Sequence, residues 1–217
     1  MNNFELGLLN KIQEIFSCEF LDTVFPIVTK LGDGGILWIA LAIFFLLFKK
    51  TRKIGISMGL SLIIGYLVGN LFLKNVIARI RPYDLNSDFS ILISKLTDYS
   101  FPSGHTLSSF EGATSIFLRN KKWGIPALVL ASLIAFSRMY LYVHYPTDVL
   151  AGVLLAKTIP FLVFSSPPIT PNTQLQLTSL HLYMNIFYFQ NADTTHLQNQ
   201  PNVVHYTPQH FKAHFIY

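Results

Sequence analysis

An all-α integral membrane protein, a six-helix bundle with a polar cluster at its outer face, is the architecture this sequence predicts. Three observations predict it. Apolar runs of membrane-spanning length recur through residues 1–165. Hydrophobic residues fill 51% of the 217 positions and charged ones 12%, about half the usual charged share, and mean hydropathy is +0.43. The net charge is +5, and the basic residues gather between the apolar runs. That placement argues against a nucleic-acid surface, because lysines and arginines flank spans and interleave with no polar domain. The single cysteine, Cys18, has no partner for an internal disulfide and reads as a small apolar residue.

The elements follow in order. Phe4, Leu8, Ile12, Ile15 and Phe16 recur at helical spacing and predict an amphipathic first helix. Phe20 to Val28 is a short apolar run that makes a tilted first crossing with the preceding turns. Met1 to Gln13 do not read as a signal peptide, since Glu5 stands among leucines and no basic start precedes an apolar core. Gly32, Asp33, Gly34 and Gly35 punctuate the chain. The second crossing begins at about Gly34 and ends at Lys49, Lys50, Arg52 and Lys53. Ile54 to Leu73 is the third, about the 20 residues a bilayer needs, and its Gly59, Gly65 and Gly69 predict close helix packing. A polar loop over 75–101 carries Pro82, Asp84, Asn86 and Asp88. The fourth crossing is Pro102 to Leu118, the fifth Trp123 to Val143 and the sixth Pro146 to Phe164. The basic residues between crossings two and three, and between four and five, assign those loops to the cytoplasm. Lys74, Arg81, the 102–105 turn, Arg138, His144 and Asp148 then all fall on the outer side.

Residues 1–165 form the expected membrane domain. From about 166 to 217 the composition shifts to Gln, Asn, Thr and Pro, with five of the seven histidines and one acid, and a separate polar, disordered tail is expected. His181, His196, His205, His210 and His214 match no metal-ligand spacing. The loss of apolar character near Ala156-Lys157 suggests a tail outside the ancestral reading frame.

Three polar blocks sit at the edges of apolar runs. Lys74 precedes Arg81-Pro82; Pro102-Ser103-Gly104-His105 follows; Ser137-Arg138, His144 and Asp148 complete the set. Together they suit a bound phosphoryl group. Lys74 is a compact charge, and Arg81 and Arg138 are planar forks that each grip two oxygens. Pro102 to His105 opens a helix whose free N–H groups and dipole seat an anion. Ser103 adds a hydroxyl, and Gly104 lets the backbone approach an oxygen. His105 as imidazolium protonates a leaving oxygen. Asp148 accepts from one ring nitrogen of His144 and leaves the other free to attack phosphorus. Glu111, within the fourth crossing, reads as protonated or paired with a neighbour such as Ser108. Tyr140, Tyr142 and Tyr145 read as an aromatic belt, and Arg79 as a headgroup contact.

These blocks resemble the three motifs of the type 2 phosphatidic acid phosphatase family, which shares its site with vanadium haloperoxidases. The resemblance covers residues 1–165 and leaves the tail outside. It implies a metal-independent lipid phosphate or diphosphate phosphatase of the cell membrane, multi-pass, without cofactor and with its active site outside. His144 would be the nucleophile that forms a phosphohistidine, Asp148 its partner and His105 the general acid. Lys74, Arg81, Ser103, Gly104 and Arg138 would hold the phosphoryl oxygens. The expected partner is a lipid phosphate, with undecaprenyl diphosphate and phosphatidylglycerophosphate favoured. Two other readings stand beside it: a non-enzymatic carrier of anionic lipids, and a vanadate-dependent haloperoxidase.

Overall fold

A computed structural model describes residues 2–86 and 89–165. The tail expected over 166–217, with its histidines, lies outside the described residues. Among those described, every regular element is helical. The order is α1 (Asn2–Phe16), α2 (Glu19–Lys30), a short 3-10 turn (Asp33–Gly35), α3 (Ile36–Leu47) and α4 (Arg52–Gly65). A π-helical stretch (Tyr66–Leu73) runs straight from α4 into α5 (Lys74–Ile77). Then come α6 (Pro82–Leu85), α7 (Gly104–Arg119), α8 (Lys121–Tyr140) and α9 (Pro146–Ser165).

By length and apolar composition, the segments Arg52–Leu85, Lys121–Tyr140 and Pro146–Ser165 can each cross a membrane. A fourth joins them if Glu19–Lys30 and Asp33–Leu47, bent by 41° at their junction, make one span. The bend has a local cause. Gly34 and Gly35 take φ of +57° and +66°, a left-handed turn that side chains disfavour. Ile63, Phe72, Trp123, Leu133, Leu154 and Leu162 stay exposed, so these helices keep apolar side chains on their outer faces as well as inside.

The central helix is α7, which packs against α8, α9 and α4. Its 16 residues rise about 24 Å, short of a full span. Small residues dominate its buried faces, among them Ser109, Gly112, Ala113 and Ser115. Trp38 lies almost wholly buried against Gly112 and donates Nε1–H to Ser109 Oγ at 3.1 Å. Met58, Leu107, Ala131, Ile134 and Ala156 complete this core. The glycines expected to allow close packing divide. Gly65 lies against Glu111 and Gly69 against Leu107, whereas Gly59 has nothing near it.

Several expectations need correction. The third apolar segment continues as helix to Ile77, past the predicted end at Leu73, because the π stretch keeps its backbone bonded. Pro102 is not the first helical residue. Ser103 is the N-cap, its Oγ accepting from the Thr106 N–H at 3.4 Å, and Gly104 follows as the first turn. Proline does open α6 and α9, at Pro82 and Pro146. Tyr140, Tyr142 and Tyr145 form no belt toward lipid, for all three are buried. Their polar tips explain why: the hydroxyls of Tyr140 and Tyr142 donate to Asp22 at 2.5 Å and Asn10 at 2.7 Å, and the Tyr145 ring lies under Arg79 at 3.8 Å.

Trp38→Phe keeps the ring contacts but strands the Ser109 hydroxyl inside the core, and is expected to cost about 1–2 kcal/mol. A lower thermal unfolding midpoint of the purified chain in detergent checks this.

Candidate active site

The end of α8 sets the geometry. After Tyr140 the chain turns sharply, with Tyr142 at φ +59°. Stacking on Phe89 at 4.2 Å and hydroxyl bonds to Asn10 and Asn86 hold that unusual conformation. The Val143 and His144 N–H groups fold back onto the carbonyl of Arg138, at 3.2 and 3.3 Å. The spacing between Arg138 and His144 is thus a backbone closure that sets both side chains at one end of the bundle. The carbonyl of Asp148 accepts from the Ser103 N–H at 3.1 Å, which ties the start of α9 to the start of α7.

His144 is buried. Its Nδ1 lies 3.4 Å from Ser100 Oγ and 3.5 Å from Asp148 Oδ2. Ser100 Oγ donates to Asp148 Oδ2 at 2.5 Å, so toward the imidazole it acts as acceptor. That assignment puts the ring proton on Nδ1 and leaves Nε2 as a bare lone pair. Nε2 faces Arg81 Nη1 at 3.4 Å. Burial pushes the imidazole well below its ordinary pKa, and the charges of Arg81, Arg138, Lys74 and His105 push it further. Nδ1 thus faces both the carboxylate of Asp148 and the hydroxyl of Ser100, which the sequence reading did not include.

Asp148 is fully buried and its other oxygen is taken. Oδ1 accepts from Arg79 Nη1 at 2.6 Å, and Oδ2 also accepts from the Tyr145 N–H at 2.9 Å. Arg79 in turn donates to Glu5. Glu5 Oε1 accepts from the Thr147 N–H at 3.1 Å and the Thr147 hydroxyl at 2.6 Å. Arg79 is thus no headgroup contact but the centre of a clasp between α1 and the first turn of α9. Two carboxylates around one guanidinium satisfy a charge that burial alone would make costly.

The remaining cations face the same region. Lys74 and Arg81 share Asp98: Lys74 Nζ donates to Oδ2 and Arg81 Nη2 to Oδ1 at 2.6 Å. Arg81 also donates to the carbonyls of Asp98 and Val143, both at 2.8 Å. Burial would raise the pKa of Asp98, but Lys74 and Arg81 outweigh it and hold the carboxyl at about 2. Arg138, buried, donates Nη1 to Thr29 Oγ1 at 2.7 Å, while its Nε has no partner among the described residues. His105 Nε2 pairs with Asp33 Oδ1 at 2.7 Å, and its ring packs closely over Gly32, where a side chain would collide with it. Ser103 is buried in its capping role, and its Oγ accepts from the Thr106 hydroxyl at 2.9 Å as well as from the backbone. Gly104 lies against the Asn70 amide, whose buried Oδ1 has no partner among the described residues.

Lys74, Arg81, His144 and Asp148 are therefore joined directly or through one residue, and the charges of Arg138 and His105 act on His144. Ser103 and Gly104 stand beside them at the start of α7. Glu111 lies apart, buried against Gly65, with Oε1 unpartnered among the described residues. Sequence reasoning did not find Glu5, Asp33, Asp98 or Ser100. Glu5 carried no clear signal, for it lies outside the stripe of Phe4, Leu8, Ile12, Ile15 and Phe16, three of which stay exposed. Asp33, Asp98 and Ser100 lie in irregular chain, where no periodicity marks a facing residue. Among the described residues no His, Cys, Asp and Glu side chains cluster as a metal site.

The sequence profile of the PAP2 superfamily matches residues 53–169. An undecaprenyl-diphosphatase of Sulfolobus acidocaldarius is 42% identical over 126 residues, 58% of this chain and 61% of the relative. The undecaprenyl-diphosphatase BcrC of Bacillus subtilis is 33% identical over 66% of this chain and 74% of its own. A crystal structure of a transmembrane PAP2-type phosphatidylglycerolphosphate phosphatase from Bacillus subtilis superposes with a TM-score of 0.60 at 28% identity, covering 75% of this chain and 83% of that one.

Two predictions follow from the charges. Glu5→Ala leaves Arg79 partly unpaired in a buried place and is expected to lower stability by about 3 kcal/mol; a double-mutant cycle with Arg79→Ala should return a coupling of similar size. The His144 pKa lies below the 6.5 of an unfolded imidazole, so the unfolded chain binds the extra proton as pH falls through that window. Stability should therefore fall with pH below about 6.5, and His144→Gln should flatten that slope, as read by thermal unfolding across pH.

Proposed function

The chain belongs to the PAP2 superfamily, and from that premise we propose that it is a membrane lipid phosphatase working through His144. The tautomer of His144 carries the reading: a buried imidazole with its proton held at Nδ1 and its Nε2 lone pair turned toward cations is a nucleophile set for phosphorus. A carrier of anionic lipids needs the cations but not this orientation. The activities for which the relatives are named support a long-chain diphosphate such as undecaprenyl diphosphate, or phosphatidylglycerophosphate, as substrate. The six-crossing arrangement, and a site opening on the outer face, complete the proposal; the basic loops at the opposite ends of the spans support them.

Lys74, Arg81 and Arg138 neutralise the phosphoryl oxygens, with Arg138 Nε a donor still free among the described residues. The N–H groups at the start of α7, with Ser103 and Gly104, supply the remaining donors. Nε2 of His144 forms a bond to phosphorus as the bond from phosphorus to the leaving oxygen breaks. The Nδ1 proton moves closer to Ser100 and Asp148, which stabilise the charge that develops on the ring. His105 first gains a proton, which a phosphoryl dianion bound beside it favours; with Nε2 paired with Asp33, it gives that proton from Nδ1 to the leaving lipid alcohol or lipid phosphate. It then takes one from the water that attacks the phosphohistidine, which frees phosphate and restores His144. Three fixed cations do the work that a metal ion does in other phosphatases, so the reaction needs none.

Purified protein should release phosphate from a polyprenyl diphosphate in the presence of a chelator. His144→Ala should keep lipid binding and lower kcat by about 10^4-fold. A radiolabelled phosphoryl group should remain on the wild-type protein after rapid quenching and be absent from the variant. Release only with added magnesium would overturn the metal-free mechanism.

A further inference from the structure

Asp98 stands where the chemistry above requires an anion. Its two carboxylate oxygens accept from Lys74 Nζ and Arg81 Nη2, two of the three cations assigned to the phosphoryl group. Its partners are enclosed, with side-chain exposures of 10% for Lys74 and 3% for Arg81, whereas the Asp98 side chain is 51% exposed. The carboxylate therefore reaches the cations from the open side of the site.

The backbone around it is fixed. The hydroxyl of Tyr83 bonds both the N–H and the carbonyl of Leu96 at 3.1 Å. Arg81 holds the carbonyls of Asp98 at 2.8 Å and Tyr99 at 3.3 Å, and the Ser100 N–H donates to the carbonyl of Arg79 at 2.8 Å. Leaving the cations takes a rotation of one short side chain and no opening of the loop. When the carboxylate leaves, Arg81 keeps its bonds to the carbonyls of Asp98 and Val143, so its fork stays aimed.

We infer that Asp98 is a resident competitor for the phosphate seat: it occupies Lys74 and Arg81 in the free protein, yields them to the substrate's phosphoryl group, and returns to expel the phosphate formed. The inference rests on the proposed phosphatase reading. Its logic is electrostatic. Three buried cations that bind a dianion tightly also bind the product tightly, since inorganic phosphate presents the same oxygens. A carboxylate that matches two of them lowers the affinity for both and keeps the cations paired between turnovers. Asp98 thereby sets the affinity of the site for anions without touching the reacting bond.

The test uses the full chain in detergent with inorganic phosphate as probe. Asp98→Asn keeps the shape and removes the charge; Asp98→Ser removes most of the reach and serves if the first variant does not fold. The inhibition constant for phosphate, measured against lipid diphosphate hydrolysis, should fall about tenfold in either folded variant, and KM should fall with it. Phosphate should also raise the thermal unfolding midpoint at correspondingly lower concentration, a readout that needs no turnover. If Asp98 only orients the two cations, its loss weakens phosphate inhibition and raises KM; that result, or an unchanged phosphate affinity, overturns the inference. Failure of the wild-type protein to hydrolyse any lipid phosphate strikes the phosphatase reading instead, and the phosphate-dependent unfolding still decides the role of Asp98.

Discussion

Positive charge gathered in a poorly hydrated place must be matched atom by atom, and that requirement organises one end of this molecule. Lys74 and Arg81 meet Asp98, Arg79 meets Glu5 and Asp148, and His105 meets Asp33. Each carboxylate comes from a different stretch of chain from its partner, so the ion pairs double as tertiary ties. The packing below, such as Trp38 on Gly112, is tight but indifferent to charge. The ion pairs are not indifferent, because an unmatched charge costs several kcal/mol. The ion pairs therefore tie this end of the bundle together, and the proposed chemistry is placed there.

The pairing also separates cations by role. Arg79 is closed off, with two carboxylates, the Thr147 hydroxyl and the Tyr145 ring around it. It fixes Asp148 and has little left to offer an anion. Arg138 has the opposite character, bonded through one nitrogen and unpartnered at another among the described residues. The sequence already separates the two by motif, with Arg138 beside the phosphoryl group, but it gives Arg79 only a headgroup to meet.

Much of this was legible beforehand, and for physical reasons. Apolar runs are long enough to declare themselves, and the blocks at 74–82, 102–105 and 137–148 contain residue types whose chemistry points one way. What was missed depends on three-dimensional pairing. Glu5 shares its buried face with Leu9, not with the stripe that begins at Phe4, so the apolar periodicity does not point to it. Ser100 and Asp98 lie in chain without period, and Asp33 follows a glycine turn that read only as punctuation. The tyrosines after α8 were assigned to the lipid boundary because aromatic residues near a span end usually belong there; the sharp turn at Tyr142 folds them inward instead. The helix starting at Gly104 rather than Pro102 reflects the stronger claim of a serine cap.

The Glu5 clasp has a consequence for how the protein is made. Glu5 is synthesised 142 residues before its Thr147 partner. Until α9 has been made, Glu5 has Arg79 but lacks Thr147, and Arg79 lacks the second carboxylate that Asp148 brings. A nascent chain therefore passes through translation with this clasp half formed until α9 docks.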